Sequence, residues 1–95
     1  MEDKEYKNSF TVTGKVITDP ILPHNKNIVE LDILYKEKIK YKVHVSLKKF
    51  EMAKFVNDHI TKDMYIDVAG KIQQIPATVD YQSYILIHAT FIELR

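Results

Sequence analysis

Basic side chains occupy three successive alternate positions of the segment IKYKVHVS, residues 39–46. Lys40, Lys42 and His44 share one parity, and the residues between them are apolar. Successive side chains of a β-strand point to opposite faces, so this alternation predicts a strand whose outer face carries a row of cations. Lys38 lies just upstream and extends the row. Such a row has the chemistry needed to contact the phosphates of a nucleic acid.

Two acidic residues give the same row a second interpretation. Glu30 and Asp32 are outward residues of the preceding alternating segment, IVELDILY at 28–35. If a three-residue turn joins the two segments, these carboxylates face the lysines, and each opposite-charge pair stabilises the sheet by roughly 0.2–1 kcal/mol. One lysine is then left in excess, plus His44 when it is protonated. The row therefore predicts either a polyanion-binding face or a ladder of cross-strand ion pairs.

Charge is distributed unevenly along the 95-residue chain, whose formal net charge is +1. Residues 36–54 contain seven lysines and two glutamates, so this segment carries +5 and the rest of the chain −4. The absence of cysteine excludes a disulfide framework and a thiolate metal site, and it is typical of a reducing compartment. The sequence has neither an apolar run near the roughly 20 residues that span a bilayer nor the features of a signal peptide. We therefore expect a cytoplasmic protein without membrane contact.

Motifs for catalysis and metal binding are missing from the sequence. It has no glycine-rich phosphate loop, no nucleophile motif and no thiol, so we predict a protein without enzymatic activity and without a cofactor. The histidines are scattered and lack the spacing of a zinc site, in which a pair often lies one helical turn apart. They are His24, His44, His59 and His88.

Alternation of apolar and polar residues predicts five strands. They are FTVTGKVI (10–17), IVELDILY (28–35), IKYKVHVS (39–46), MYIDVAGKI (64–72) and YILIHATFIEL (84–94). Between the third and fourth strands the apolar spacing changes, which predicts a helix of about three turns with Ser46 as its N-cap and His59 on its apolar face. Gly14 predicts a bulge or a sharp bend in the first strand.

The order β-β-β-α-β-β predicts an all-β fold with one helix, a five-stranded OB-fold barrel in which the helix plugs one end. We assign this domain to residues 9–95 and a flexible N-terminal segment to residues 1–8. The last strand is apolar on both faces, with Phe91 placed on the face of Ile87 and Ile92 on the opposite face. A strand covered on both sides indicates a second surface, so we expect a homo-oligomer, either a dimer or a tetramer.

Two segments resemble those of a known protein family. FTVTGKVITDP, residues 10–20, is similar to the opening strand of bacterial single-stranded DNA-binding proteins, and KDMYIDVAGKIQ, residues 62–73, is similar to their fourth strand. A looser similarity exists to primosomal replication protein N. The resemblance implies an OB-fold and non-catalytic binding of single-stranded DNA with little sequence preference, accessory to replication, recombination or repair. RNA is a further ligand that the same contacts serve.

The chain departs from this family at the positions of its base-stacking aromatic residues. These positions correspond to Lys40, Ser46 and a site near Ala77. The sequence also ends at Arg95 without the glycine-rich linker and acidic tail of the family, so we expect no partner that is recruited through such a tail.

The predicted nucleic-acid-binding residues combine basic groups with substitute aromatic rings. Tyr65 and Tyr84 are the predicted stacking surfaces, and Tyr35 and Tyr81 are further rings that the chain offers. The predicted basic contacts are Lys15, Lys38, Lys40, Lys42, His44 and Lys71. The alternative function is an OB-fold protein-interaction module that has lost nucleic-acid binding, which the missing aromatic residues and the near-zero net charge favour.

Overall fold

The computed structural model describes residues 9–95, so the flexible segment predicted at residues 1–8 lies outside the described residues. Within the described part, five strands and one α-helix follow one another in the predicted order. They are β1 (Ser9–Val16), β2 (Ile28–Tyr35), β3 (Ile39–Ser46), α1 (Phe50–His59), β4 (Tyr65–Ile75) and β5 (Tyr84–Leu94). The observed bounds of β2, β3 and β5 are those that the alternation of apolar residues predicts.

The strands close into a barrel with the order β1-β2-β3-β5-β4. β3 and β5 run parallel, and the other neighbouring pairs run antiparallel. Closure gives each strand two neighbours and leaves no open sheet edge. Buried aliphatic side chains such as Leu31, Val43 and Ile66 fill the interior. This architecture confirms the predicted OB-fold.

The β2–β3 hairpin sets the register of the basic row. Tyr35 pairs with Ile39, and the N–H of Lys38 donates a hydrogen bond to the carbonyl of Tyr35 at 3.0 Å. The two residues after Tyr35, Lys36 and Glu37, have φ values of 52° and 60°. The predicted three-residue turn is therefore confirmed, and it brings the acidic residues of β2 opposite the cations of β3.

The positive φ values in this turn offer a way to stabilise the fold. Residues other than glycine and asparagine rarely adopt them, so changing Lys36→Asn together with Glu37→Gly is expected to raise the free energy of unfolding by about 1 kcal/mol. Urea denaturation monitored by circular dichroism measures this change. The control is Lys38→Gly, at a position without a positive φ, which we expect to be neutral or destabilising. Equal effects of the two changes would contradict the explanation.

Gly14 does not form the bulge predicted in β1. It pairs with Ile66 in an unbroken register between β1 and β4, so of the two predicted alternatives, a bulge or a sharp bend, the bulge is wrong. A Cβ atom added at Gly14 would lie 3.1 Å from Cδ1 of Ile33. Glycine at this position makes room for the inner side chain of the neighbouring strand, and the pairing itself stays regular.

The irregular pairing lies between β4 and β5. The register shifts at Gly70, where Thr90 is an extra residue in β5. Beyond Thr90 the parity of the strand is reversed, so that Phe91 is 52% exposed whereas Ile92 is buried. The predicted grouping of Phe91 with Ile87 is therefore wrong, because one extra residue moves every following side chain to the other face.

The helix α1 begins at Phe50, later than the sequence predicts. Ser46 is the last residue of β3, and its hydroxyl accepts a hydrogen bond from the N–H of Lys48 at 3.1 Å. Its carbonyl accepts another from the N–H of Lys49 at 3.0 Å. These bonds form a turn that separates β3 from the helix, so the prediction of Ser46 as the N-cap is wrong.

One face of α1 covers an end of the barrel. Ala53, Val56 and Ile60 on that side are buried. His59 is exposed, with its ring centroid 5.5 Å from that of Phe55, so its predicted position on the packed face is wrong. No helix in the described part of the chain is long and apolar enough to cross a membrane.

Candidate nucleic-acid interface

A groove of about 640 Å³ lies against the outer face of β3. One wall carries Lys40, Lys42 and His44, which point outward because the residues of opposite parity fill the core. The other wall is formed by the loop between β4 and β5, residues 76–83, together with Tyr84 at the start of β5. The structure therefore brings four predicted site residues to one place, three of them cationic or basic and one aromatic.

The loop wall is organised by Thr78. Its Oγ1 accepts hydrogen bonds from the N–H groups of Asp80 at 3.2 Å and Tyr81 at 3.1 Å. The N–H of Thr78 donates to the carbonyl of Tyr81 at 2.8 Å, which closes the turn. These bonds fix the backbone of the loop at Tyr81, a residue that lines the groove and is 71% exposed. The sequence offered Tyr81 only as a further ring, because no periodicity in the loop indicates where it points.

Lys42 is held between two carboxylates of β2. Its Nζ lies 3.0 Å from Oε2 of Glu30 and 3.3 Å from Oδ1 of Asp32, the residue directly opposite it in the sheet. Nε2 of His44 lies 3.1 Å from the other oxygen of Glu30. The cross-strand ion-pair interpretation therefore holds for Lys42 and, through its hydrogen bond, for His44.

Both members of the Lys42–Glu30 pair are charged at neutral pH. Burial alone would raise the pKa of Glu30, but the hydrogen bond and charge of Lys42 hold this pKa below its ordinary value of 4.5. Burial alone would lower the pKa of Lys42, but hydrogen bonds and charges from Glu30 and Asp32 raise it above 10.5. The two carboxylates and one ammonium thus leave a net charge of −1 on this part of the groove.

Burial favours the uncharged form of His44 in this setting. Burial lowers its pKa below the ordinary value of 6.5, Glu30 opposes this shift, and His88 and Lys26 add to it. Because a carboxylate only accepts hydrogen bonds, neutral His44 donates its Nε2–H to Glu30. It therefore adds no positive charge to the groove at neutral pH.

The lowered pKa of His44 predicts that acid weakens the fold in a defined window. The folded state binds the proton less readily than the unfolded state, so the stabilising contribution is present above pH 6.5 and is lost as the pH falls through the folded value. The variant His44→Gln is expected to lose this part of the pH dependence. Thermal unfolding at a series of pH values measures it, with His24→Gln in an exposed loop as the control. A parallel decline in both variants would contradict the assignment.

Lys40 and Lys38 differ from Lys42 in their surroundings. Lys40 lies opposite Leu34, which has no charge, and both lysines are exposed. Within residues 9–95 neither forms an ion pair with a carboxylate. These two ammonium groups are therefore open to an anion from solution, and the polyanion-binding interpretation of the row applies to them.

Lys71 belongs to a row of residues that continues around the barrel from His44. His44 of β3 neighbours His88 of β5, which neighbours Lys71 of β4. The two imidazole rings meet edge-on with centroids 6.2 Å apart, and Nε2 of His88 lies 2.8 Å from Oε1 of Gln73. Lys71 is exposed but does not line the groove.

No group of three or more acidic residues and histidines in the described part of the chain could hold a metal ion.

Lys15 and Tyr65 lie apart from the groove. They are partners in the β1–β4 pairing, and neither lines the groove wall. Nζ of Lys15 is 3.7 Å from the carboxylate of Asp63, while the Tyr65 ring is 52% exposed. The structure thus divides the predicted site residues between the groove, the turn before β3 that contains Lys38, and two other parts of the barrel surface.

The fold is shared with solved structures of low sequence identity. A small single-stranded DNA-binding protein from Streptomyces coelicolor superposes with a TM-score of 0.76 at 14% identity, covering 92% of this chain and 93% of that one. The second single-stranded DNA-binding protein of Mycobacterium smegmatis gives 0.73 at 18% identity, covering 93% and 86%. An aspartyl-tRNA synthetase from Entamoeba histolytica gives 0.66 at 16% identity, covering 90% of this chain and 18% of the enzyme.

These likenesses establish the OB-fold that the sequence resemblance implied. No protein-family model matches the chain, and no curated protein matches it by sequence. A barrel of this kind occurs both in the small binding proteins and within the much larger synthetase. The fold alone therefore does not determine the function, and the residues of the groove do.

Proposed function

We propose that this protein binds single-stranded DNA without catalysis and with little sequence preference, in the groove on the outer face of β3. The observation that carries the proposal is the exposed ammonium group of Lys40 on one wall, facing a loop wall that presents Tyr81 and Tyr84. Cations beside exposed aromatic rings are the two parts that sequence-independent binding of single strands requires. Two of the solved structures with this fold are named as single-stranded DNA-binding proteins, which supports the same proposal.

The small number of unpaired cations makes the binding weak and moderately dependent on salt. Lys26 and Lys40 line the groove, Lys38 lies in the turn two residues before Lys40, and none of the three forms an ion pair within residues 9–95. Neutralising about three phosphates of a single strand gives a slope of about −2 for log K against log[salt], or a roughly fifteenfold loss of affinity between about 50 and 200 mM salt. Stacking on each tyrosine adds about 1–3 kcal/mol.

Fluorescence anisotropy with a labelled oligo-dT of about ten nucleotides tests the proposal across that range of salt. We expect a saturable signal at low salt whose affinity falls with the slope given above. Oligo-U under the same conditions shows whether RNA is accepted as well, since stacking and phosphate contacts serve both strands. Absence of binding to either strand in dilute buffer would overturn the proposal.

The alternative is an OB-fold module for protein interaction. The net charge of −1 formed by Glu30, Asp32 and Lys42, of which Glu30 and Lys42 line the groove, favours it, because it repels phosphate. A charge change at Lys40 separates the two functions. If the protein binds DNA, the change weakens that binding; if it is a protein-interaction module, neither the unchanged chain nor the variant binds DNA.

We also propose that this binding takes place in the cytoplasm and is accessory to replication, recombination or repair. We further propose that the protein acts as a homo-oligomer of two or four copies. Three exposed apolar side chains, Tyr65, Phe91 and Leu94, lie on neighbouring β4 and β5 and would be covered by association. Light scattering at tens of micromolar tests the assembly. A particle of the chain mass, 11.2 kDa, would exclude it.

A further inference from the structure

Lys42 occupies a position unlike that of any other lysine of the row. Two carboxylates fix its ammonium from one side, at 3.0 Å and 3.3 Å, and its side chain is only 27% exposed. On the other side its Nζ lies 5.7 Å from the centroid of the Tyr84 ring. A cation at this distance is attracted to the face of an aromatic ring, so Lys42 joins the acidic pair of β2 to the aromatic residue at the start of β5.

We propose that Lys42 is a positioning residue for Tyr84, whose ring stacks on a base, and that the phosphates of the strand lie at Lys40 and Lys26. The strand then enters with its bases toward the ring and its phosphates toward the edge of the groove. This inference rests on the proposed function and deepens it, since it assigns Lys42 a different role from Lys40.

Electrostatics favours this arrangement over a phosphate contact by Lys42. A phosphate approaching the ammonium also approaches Glu30 and Asp32, whose side chains are 18% and 14% exposed. Transfer of Lys42 to the phosphate would leave Asp32 without a cation and Glu30 with only its hydrogen bond from His44, in a partly buried place, which is costly. A neutral base meets no such repulsion. It gains from a ring that is already held in one orientation, because less side-chain freedom is lost on binding.

Lys40 provides the matched comparison on the same strand and the same face. It is exposed, lies opposite Leu34, and has no carboxylate partner within residues 9–95. It belongs to the groove wall as Lys42 does. A phosphate contact is therefore expected to show itself at Lys40 and to be missing at Lys42.

The test combines salt titrations with a double-mutant cycle, using labelled oligo-dT and the full chain. Lys40→Met is expected to reduce the salt slope by about 0.7, the value for one phosphate of a single strand. Lys42→Met is expected to leave the slope unchanged and to weaken binding about two- to fivefold, the range of an exposed cation–π contact. In a Tyr84→Ala background the effect of Lys42→Met is expected to vanish, whereas the effect of Lys40→Met persists.

Two further variants keep the test decisive. Lys42→Arg preserves the charge and the ring contact and is expected to restore binding. Because Lys42→Met alone changes the charge of the cluster of Glu30, Asp32 and Lys42 to −2, the same comparison is also made with Lys42→Met and Asp32→Asn combined, which keeps the charge at −1 and leaves Glu30 its hydrogen bond from His44. If Lys42→Met reduces the salt slope by about 0.7, and does so in the Tyr84→Ala background as well, the inference is overturned while the proposed function stands. Absence of all binding by the unsubstituted chain overturns the proposed function with it.

Discussion

Changing Lys38 and Lys40 together to glutamate is expected to weaken binding of oligo-dT at least about tenfold at about 50 mM salt and to reduce the salt slope by about 1.4. Both ammonium groups are exposed and free of carboxylate partners within residues 9–95. Each can therefore neutralise a phosphate and release the counterions condensed on the DNA. Glutamate at these places adds repulsion to the loss of attraction, near the cluster of Glu30, Asp32 and Lys42, whose net charge is −1. Anisotropy titrations at several salt concentrations measure both quantities.

The matched control for this change is Lys48 and Lys49, both changed to glutamate. These lysines are also exposed and unpaired within the described residues, but they lie in the turn before α1 and outside the groove wall. The control alters the net charge of the protein by the same amount. An equal loss of affinity in both variants would show that overall charge, and not the groove, determines binding.

Gly70→Ala is expected to cost about 3 kcal/mol or more in the free energy of unfolding, or to prevent folding. An added Cβ atom would lie 2.2 Å from the carbonyl oxygen of His88 and 2.9 Å from Cα of Ala89. These are backbone atoms, and β4 and β5 pair on both sides of the position, so neither chain can move away without breaking the barrel. Denaturation by urea, or the yield of folded protein if the variant is insoluble, measures the effect.

Gly14→Ala is the control for Gly70→Ala. Its added Cβ atom would meet the side chain of Ile33 at 3.1 Å and the carbonyl oxygen of Leu34 at 3.2 Å. A side chain can shift by a few tenths of an ångström, so we expect a smaller cost of about 1–2 kcal/mol. A Gly70→Ala protein as stable as Gly14→Ala would mean that the bulge tolerates a methyl group and that the register of β5 is adjustable.

The barrel could be predicted from the sequence because its strands follow a simple period. β2 and β3 alternate without a break, and a three-residue turn between them was the condition under which Glu30 and Asp32 face the basic row, as they do. The extra residue at Thr90 could not be foreseen in this way. Both faces of β5 carry apolar residues that could pack into the core. The sequence therefore does not show where the alternation of inward and outward side chains is reversed.

The candidate site was predictable in part for related reasons. Parity placed Lys40, Lys42 and His44 on one face, but only the strand-to-strand register shows that Lys42 faces Asp32 while Lys40 faces Leu34. The positions of Lys15 and Tyr65 around the barrel depend on which strands are neighbours, which alternation within a strand does not encode. The beginning of α1 was missed because the hydrogen bonds of Ser46 form a turn in place of a helix cap.

The central claim is that a single strand of DNA lies in the groove between β3 and the β4–β5 loop. Titration of isotope-labelled protein with unlabelled oligo-dT, followed by amide chemical shifts in low salt, tests it most directly. We predict that the largest shifts fall on Lys40–His44 and on residues 78–84, and that adding salt reverses them. Shifts confined to β1, to α1 or to no residue at all would contradict the claim.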